Sequence, residues 1–174
     1  SYDCASYQLL RELAAAFNHV YVSTGATFDD EIEFATKILS AAHNLTLLHC
    51  TTIYPTPLDA LNLSRMEWLS GFAKRVGFSD HTLVSRDSTV AAKAAIALGA
   101  DVVERHFTIL DPDETKDGPV SINPDQLADL VTFSSWSSSD QLGYLRSIGV
   151  DLITLQGTPT RDLSHTELLN RDYY

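Results

Sequence analysis

Short apolar runs typical of β-strands alternate along this chain with longer stretches of helical periodicity. The strand-like runs cover residues 19–23, 45–50, 75–79 and 101–108. Because a strand followed by a helix returns to its sheet through a right-handed crossover, the alternation predicts a parallel sheet covered by helices. Four such units make either a small doubly wound sheet or half of an eight-stranded barrel. A complete barrel needs roughly 250 residues, so the 174 residues are too few for one.

Capping residues predict where several helices begin and end. Thr27 is predicted to cap the helix after the first strand, and Gly99 is predicted to end the helix before the fourth strand. Asn123 followed by a proline is typical of a helix start. Beyond residue 133 the pattern changes to a serine-rich loop, one further helix and a linker that ends in a short helix. We therefore divide the chain into residues 1–133 and residues 134–174.

Charge and composition restrict the classes of partner. The formal net charge of −11 argues against nucleic-acid binding, which requires a basic surface. No run approaches the roughly 18 apolar residues of a membrane helix, and the N-terminal residues lack the basic and apolar regions of a signal peptide. Cys4 and Cys50 are too few and too far apart for a disulfide framework. Two reduced thiols in a cytoplasmic protein are the expectation.

Polar side chains follow all four predicted strands. They are Ser23 and Thr24, then Thr52 and Tyr54, then Ser79 and His81, and finally His106. In parallel α/β folds the carboxyl ends of the strands carry the chemistry. Adjacent parallel strands are about 5 Å apart, so the two imidazoles can converge on one divalent cation such as Mn²⁺ or Co²⁺ that acts as a Lewis acid. Each of these residues alone is also compatible with a structural role, as a turn cap or a core histidine.

Two loops add possible substrate contacts at the same end. The turn at residues 23–27 combines hydroxyl groups with a helix N-terminus, which is an anion-binding arrangement. The charged loop at residues 111–118 contains Lys116 and Asp117. Most such loops are solvated connectors, although a loop on this face can also clamp a substrate.

Five ordered blocks carry a specific resemblance. They are VSTG at residues 22–25, LLHCTTIYPTP at 47–57, GFSDHT at 77–82, GADVVERHFT at 99–108 and SINP at 121–124. With these blocks the chain resembles the N-acetylneuraminate (sialic acid) synthase family, which includes the legionaminate and pseudaminate synthases. The ending, residues 163–174, resembles the linker that leads in this family to a C-terminal antifreeze-like domain.

The resemblance implies an α/β fold in which residues 1–133 form the C-terminal half of a (β/α)₈ TIM barrel. Residues 134–174 would be the terminal helix and the linker toward the antifreeze-like domain. The implied reaction condenses phosphoenolpyruvate with an N-acylated amino-sugar aldehyde, such as N-acetylmannosamine, and gives a nine-carbon sialic acid-type sugar and phosphate. The partners implied are these small molecules and, in the full-length protein, a second copy in a homodimer.

The resemblance also implies roles for individual residues. His81 and His106 match metal ligands, with Mn²⁺ favoured and Mg²⁺ or Co²⁺ as alternatives, and the metal would polarise the aldehyde oxygen. Tyr54 and Asp117 match positions that contact the sugar and complete the predicted catalytic set. The predicted substrate-binding residues are Ser1, Ser23, Thr24, Thr52 and Ser79.

The sequence departs from the family pattern in three places. The usual Gly-Pro-Asp is replaced by Lys116-Asp117-Gly118-Pro119, and Thr52 stands where asparagine or serine is common. The family's phosphoenolpyruvate-binding lysines come from segments before Ser1. Two alternatives therefore remain open: an inactive half-barrel that serves as an assembly module, and another two-histidine, metal-dependent barrel lyase or isomerase.

Overall fold

The computed structural model describes residues 2–173, and their strands form one four-stranded parallel sheet. The strands are β1 (His19–Ser23), β2 (Asn44–Cys50), β3 (Arg75–Asp80) and β4 (Val102–Arg105), and they lie side by side in chain order. Each strand pairs in parallel with the next one. With its flanking helices the sheet forms a half-barrel, which confirms the predicted fold class.

Helices connect the strands and continue beyond the last one. They are α1 (Tyr7–Ala16), α2 (Asp29–Leu39), α3 (Arg65–Leu69), α4 (Val84–Asp87), α5 (Val90–Ala97), α6 (Pro124–Ser134), α7 (Ser138–Ser147), α8 (Leu152–Gln156) and α9 (His165–Tyr173). Short 3₁₀ turns lie at Tyr2–Ala5, Leu58–Ala60, Pro112–Glu114 and Gly118–Val120. Across residues 2–173, no helix has the length and apolar character that crossing a membrane would require.

Most of the predicted boundaries agree with the structure. Asn123 caps α6 through its side chain, which accepts a hydrogen bond from the Gln126 amide at 2.9 Å. Gly99 follows α5 with a φ of +96°, a left-handed conformation that favours glycine. These local signals identify the helix ends because each one satisfies a backbone group that the helix itself leaves unpaired.

Two predicted boundaries are wrong. Thr27 is not the cap of α2, because its hydroxyl donates to the carbonyl of Gly25 at 2.8 Å and the helix begins at Asp29. The fourth strand is shorter than residues 101–108, since the ladder ends at Arg105. After that residue the backbone pairs instead with Ile122, which bonds on both of its sides to the segment that follows β4.

The core is divided between the two ends of the sheet. One cluster packs α1 and α2 on β1 and β2, with Leu10, Ile32 and Leu47 among its buried members. A second packs α5, α7 and α8 on β3 and includes Leu145 and Leu155, and a smaller third cluster joins α5 and α6. Helices from beyond residue 133 therefore bury apolar side chains against the same sheet as the rest of the chain.

Candidate functional site

The carboxyl ends of β3 and β4 place two histidines side by side. Asp80 and Arg105 are register partners, so His81 and His106, which follow them, leave neighbouring strands at the same level. Their ring centroids are 5.2 Å apart and the ring planes meet at 63°. The ring of Tyr54, from the loop after β2, lies 4.1 Å from His81 and 6.4 Å from His106. Three of the predicted residues thus meet from three separate strand ends.

Burial keeps the His81 imidazole neutral. Its residue is 5% exposed, and the loss of hydration lowers its pKa to about 3, with smaller contributions from His106 and Arg105. The Sγ atom of Cys50 lies 3.8 Å from Nδ1 of this ring. A neutral imidazole has a free lone pair on one nitrogen, which is the form in which histidine binds metal ions. His81 is therefore held in the ligating form beside a second imidazole.

An ion pair between Asp80 and Arg105 underlies the two histidines. Neither side chain is more than 4% exposed to solvent, and the two charged groups are in direct contact. Asp80 accepts the amide N–H of Thr82 at 2.8 Å, and Arg105 donates to the hydroxyl and the carbonyl of Thr82 at 2.9 Å each. Burial raises the pKa of Asp80, while the charge of Arg105 opposes this rise. Because each partner directly precedes one histidine, the pair fixes the strand ends from which both imidazoles project.

The predicted serines lie beside the Cys50 thiol. Ser79 donates its hydroxyl to Oε1 of Glu104 at 2.6 Å, and both Ser23 and Ser79 contact the thiol. Burial raises the pKa of Cys50 to about 11, so the sulfur remains a neutral thiol. Ser79 and Glu104 also line a cavity of about 210 Å³ together with both histidines. The Ser79 hydroxyl is thus placed where a small ligand below the imidazoles would meet it.

The two predicted threonines are buried in the rim. The hydroxyl of Thr24 donates to the carbonyl of Leu48 at 3.0 Å, so it closes the turn after β1. Thr52 is fully buried, and its backbone bonds to Glu167 and Asn170 of α9. Ser1, the remaining predicted contact, lies outside the described residues.

A larger cavity of about 560 Å³ opens beside the histidines. It is lined by Tyr2, Ile53, Tyr54, His106, Lys116, Asp117, Thr166 and Asn170. The carboxylate of Asp117 lies 3.9 Å from Nδ1 of His106. Gly118 holds this loop close, because a Cβ atom there would lie 1.8 Å from the carbonyl oxygen of Pro112. The structure thus brings Asp117 to the site despite the altered loop sequence.

The helix α9 is a part of the site that the sequence did not predict. Both oxygens of the buried Glu167 accept hydrogen bonds from Arg161, at 2.6 and 2.7 Å, and one of them accepts the Thr52 amide at 3.2 Å. Burial alone would raise the pKa of Glu167, but the hydrogen bonds and charge of Arg161 outweigh it and hold the pKa below its usual value. The Ser164-x-x-Glu167 capping box is a sequence signal for the start of this helix. No local signal reveals that the helix packs on Thr52, 115 residues away.

Metal-ligating groups near the two histidines are few. Among the side chains that the structure describes, no three or more histidine, cysteine, aspartate or glutamate residues are arranged to hold a metal ion. The described residues therefore offer an imidazole pair, which would leave the other coordination positions of a bound ion to substrate, water or further ligands.

Comparisons with known proteins agree on one family. The chain matches the NeuB family over residues 1–142. It is 40% identical over 131 residues to the N,N'-diacetyllegionaminic acid synthase of Campylobacter jejuni, a match that covers 71% of this chain and 37% of that protein. The chain spans less than two fifths of the length of this and other curated relatives.

Solved structures share the same fold. The spore coat polysaccharide biosynthesis protein SpsE of Bacillus subtilis superposes with a TM-score of 0.77 at 27% identity, over 96% of this chain and 46% of that one. The N-acetylneuraminic acid synthetase of Leptospira borgpetersenii, solved with citrate, superposes with a TM-score of 0.66 at 28% identity, over 98% of this chain and 54% of that one. Both matches extend beyond residue 142 into the C-terminal helices.

Proposed function

The chain belongs to the NeuB family, and we propose that it carries one half of the active site of a synthase that condenses phosphoenolpyruvate with an N-acylated amino-sugar aldehyde. The observation that supports this proposal is the convergence of His81, His106, Tyr54 and Asp117 on one cavity at the carboxyl ends of the strands. The proposed product is a nine-carbon sialic acid-type sugar, with inorganic phosphate as the second product.

The proposed reaction forms one carbon–carbon bond and releases phosphate. C3 of phosphoenolpyruvate bonds to the aldehyde carbon of the sugar, and the aldehyde oxygen takes up a proton as it becomes a hydroxyl. Water adds to C2, and the bond between C2 and the phosphate oxygen then breaks. The new keto oxygen therefore comes from water, and the bridging oxygen leaves with the phosphate.

Each described residue has a proposed task in this reaction. Tyr54 and Asp117, which both line the larger cavity, orient the acceptor sugar. Ser23 and Ser79 bind the phosphate or carboxylate of phosphoenolpyruvate, for which Ser79 turns its hydroxyl hydrogen from Glu104 to the ligand. The turns at Thr24 and Thr52 support these contacts through backbone groups, since both side chains are buried. Ser1 remains a predicted substrate contact.

A divalent metal fits the two histidines. His81 is kept neutral by burial and His106 lies beside it, so we propose that both would hold the ion, with Mn²⁺ favoured over Mg²⁺ or Co²⁺. When bound, the ion would act as a Lewis acid that stabilises negative charge on the aldehyde oxygen. The Asp80–Arg105 ion pair positions both histidines, because each partner directly precedes one of them.

We further propose that the protein is cytoplasmic and acts as a homodimer. Cys4 and Cys50 are both free and buried, which is compatible with a reducing compartment. The dimer is proposed because residues 163–174 resemble the family's linker. In that family the linker leads to a domain that reaches the active site of a neighbouring subunit.

The test is a coupled phosphate-release assay on the protein as encoded, with any sequence on either side of residues 1–174. Phosphate release should require both phosphoenolpyruvate and N-acetylmannosamine, and His81→Ala or His106→Ala should abolish it together with divalent-metal dependence. His43→Ala is the matched control, because His43 is exposed between α2 and β2. Full activity in either site variant, or in excess chelator, would contradict the metal assignment.

In the same assay, Asp117→Ala should raise the sugar KM or lower kcat and leave phosphoenolpyruvate binding nearly unchanged.

The assay also separates the alternative functions. A protein that rearranges or cleaves the sugar without consuming phosphoenolpyruvate would be a two-histidine lyase or isomerase. A protein without any activity would favour the assembly module.

A further inference from the structure

The helix α9 forms part of the lining of the larger cavity, together with Lys116 and Asp117. Two side chains of this helix, Thr166 and Asn170, line the cavity. They are four residues apart, so they lie on the same face of the helix. The lining of the cavity therefore combines two charged side chains, two neutral polar side chains of one helix and the ring of His106.

The helix is anchored strongly enough to serve as a fixed wall. Glu167 is fully buried and makes a bidentate pair with Arg161. Arg171 donates to the carbonyl of Ala26 at 2.8 Å and forms an ion pair with Glu31 at the start of α2. These contacts tie α9 to the turns that follow β1 and β2.

Asn170 has hydrogen-bonding capacity beyond its anchoring contact. Its side-chain N–H₂ group donates to the carbonyl of Thr52 at 2.9 Å. A primary amide has two N–H donors and a carbonyl acceptor, so one donor and the acceptor remain in addition to this bond. Because Asn170 lines the cavity, both groups are available to a ligand in it.

We infer that Asn170 is a specificity-determining residue that recognises the N-acyl group of the acceptor sugar. The N-acyl group is a secondary amide, with one N–H donor and one carbonyl acceptor, and it complements the free acceptor and donor of Asn170. The charged side chains of Lys116 and Asp117 in the same lining suit the sugar hydroxyls. This inference rests on the proposed function, since it assigns a part of the acceptor to a part of the same cavity.

The experiment compares two acceptors that differ at a single substituent, N-acetylmannosamine and mannose. The preference between them is measured as the ratio of kcat/KM values by phosphate release, and independently as the ratio of affinities by calorimetry. Asn170→Ala should reduce the preference about tenfold, which is the effect of one hydrogen bond of ordinary strength. The KM for phosphoenolpyruvate should change by a smaller factor than the preference does, because Asn170 reaches the proposed phosphoenolpyruvate contacts only through the turn at Thr52.

Two further variants separate recognition from anchoring. Leu169→Ala changes an exposed neighbour on the same helix, 56% accessible, and should preserve the preference. Thr166→Val removes a cavity hydroxyl but no anchoring contact, so the turn at Thr52 should stay in place. If Asn170 only anchors that turn, both acceptors will lose the same factor in Asn170→Ala and the unchanged preference will overturn the inference.

The two proposals fail in different ways. A protein that condenses both substrates but keeps its acceptor preference in Asn170→Ala would overturn the inference and leave the reaction standing. The protein could instead bind N-acetylmannosamine, lose its preference over mannose in Asn170→Ala and release no phosphate. That result would support the inference and contradict the reaction. Failure of the unaltered protein to bind either sugar would overturn the inference.

Discussion

Removal of the Arg105 side chain should be among the most damaging single changes in this chain. The guanidinium is 4% accessible and pairs with Asp80, which is fully buried. In Arg105→Ala the carboxylate would remain in the interior without its counter-charge. Arg105 also donates two hydrogen bonds to Thr82, and both acceptors would lose their partner.

The expected loss is about 3–5 kcal/mol, the usual cost of removing one partner of a buried ion pair. A domain has about 5–15 kcal/mol in total, so the variant should lose a fifth or more of its stability. The loss should shrink as the pH falls. Burial already raises the pKa of Asp80, and without Arg105 the carboxyl should take up a proton more readily and cease to be an unpaired charge.

The assay is urea unfolding followed by circular dichroism, at neutral and at mildly acidic pH. A variant that replaces both partners, Asp80→Asn with Arg105→Met, should be more stable than Arg105→Ala because it leaves no unpaired charge. Arg146→Ala, on the exposed face of α7, is the control and should stay within about 0.5 kcal/mol. A loss below about 1 kcal/mol in Arg105→Ala, or a double variant no better than the single one, would refute the reasoning.

Further predictions concern a glycine of β3, a glycine of α7 and a buried histidine of β2. Gly77→Ala should destabilise the protein by about 1–3 kcal/mol, because its Cβ would lie 2.2 Å from the carbonyl oxygen of Val102. Gly143→Ala, with nothing within 4 Å of the new Cβ, should instead stabilise α7 by up to about 1 kcal/mol, and urea unfolding of both variants checks the contrast. Burial lowers the pKa of His49 to about 3, so the folded chain keeps this ring neutral while the unfolded chain protonates it near its ordinary pKa. The stabilisation from the neutral His49 ring is fully present above the pKa that histidine has in the unfolded chain. It is lost as the pH falls, by about 2 kcal/mol between pH 7 and pH 5. His49→Gln should show a correspondingly shallower pH dependence of unfolding, and an equal slope in both proteins would contradict this cause.

The elements that the sequence predicted well are those whose signals are local. All four strands and the caps at Asn123 and Gly99 follow from residues within a few positions of each other. The short extent of β4 could not be predicted in this way, since its ladder ends because the following backbone pairs with Ile122. Thr27 is a different case, because its hydroxyl donates to the nearby carbonyl of Gly25 and the helix begins two residues later, at Asp29.

In the candidate site, too, the residues with local sequence signals could be predicted and the long-range contacts could not. His81 and His106 could be identified from sequence because parallel strands bring their carboxyl ends to one edge. The ion pair beneath them follows from the same register, but only the structure shows that Asp80 and Arg105 are both buried. The packing of α9 on Thr52 joins residues 115 positions apart, and no periodicity or cap carries that information.

The central claim is that the protein containing this chain joins phosphoenolpyruvate to an amino sugar, and the product tests it most directly. The measurement is mass spectrometry of the reaction of N-acetylmannosamine with phosphoenolpyruvate labelled with ¹³C in all three carbons. The account predicts one sugar acid that contains the whole acceptor and all three labelled carbons, together with one equivalent of phosphate. Labelled pyruvate and phosphate beside an unchanged sugar would contradict it.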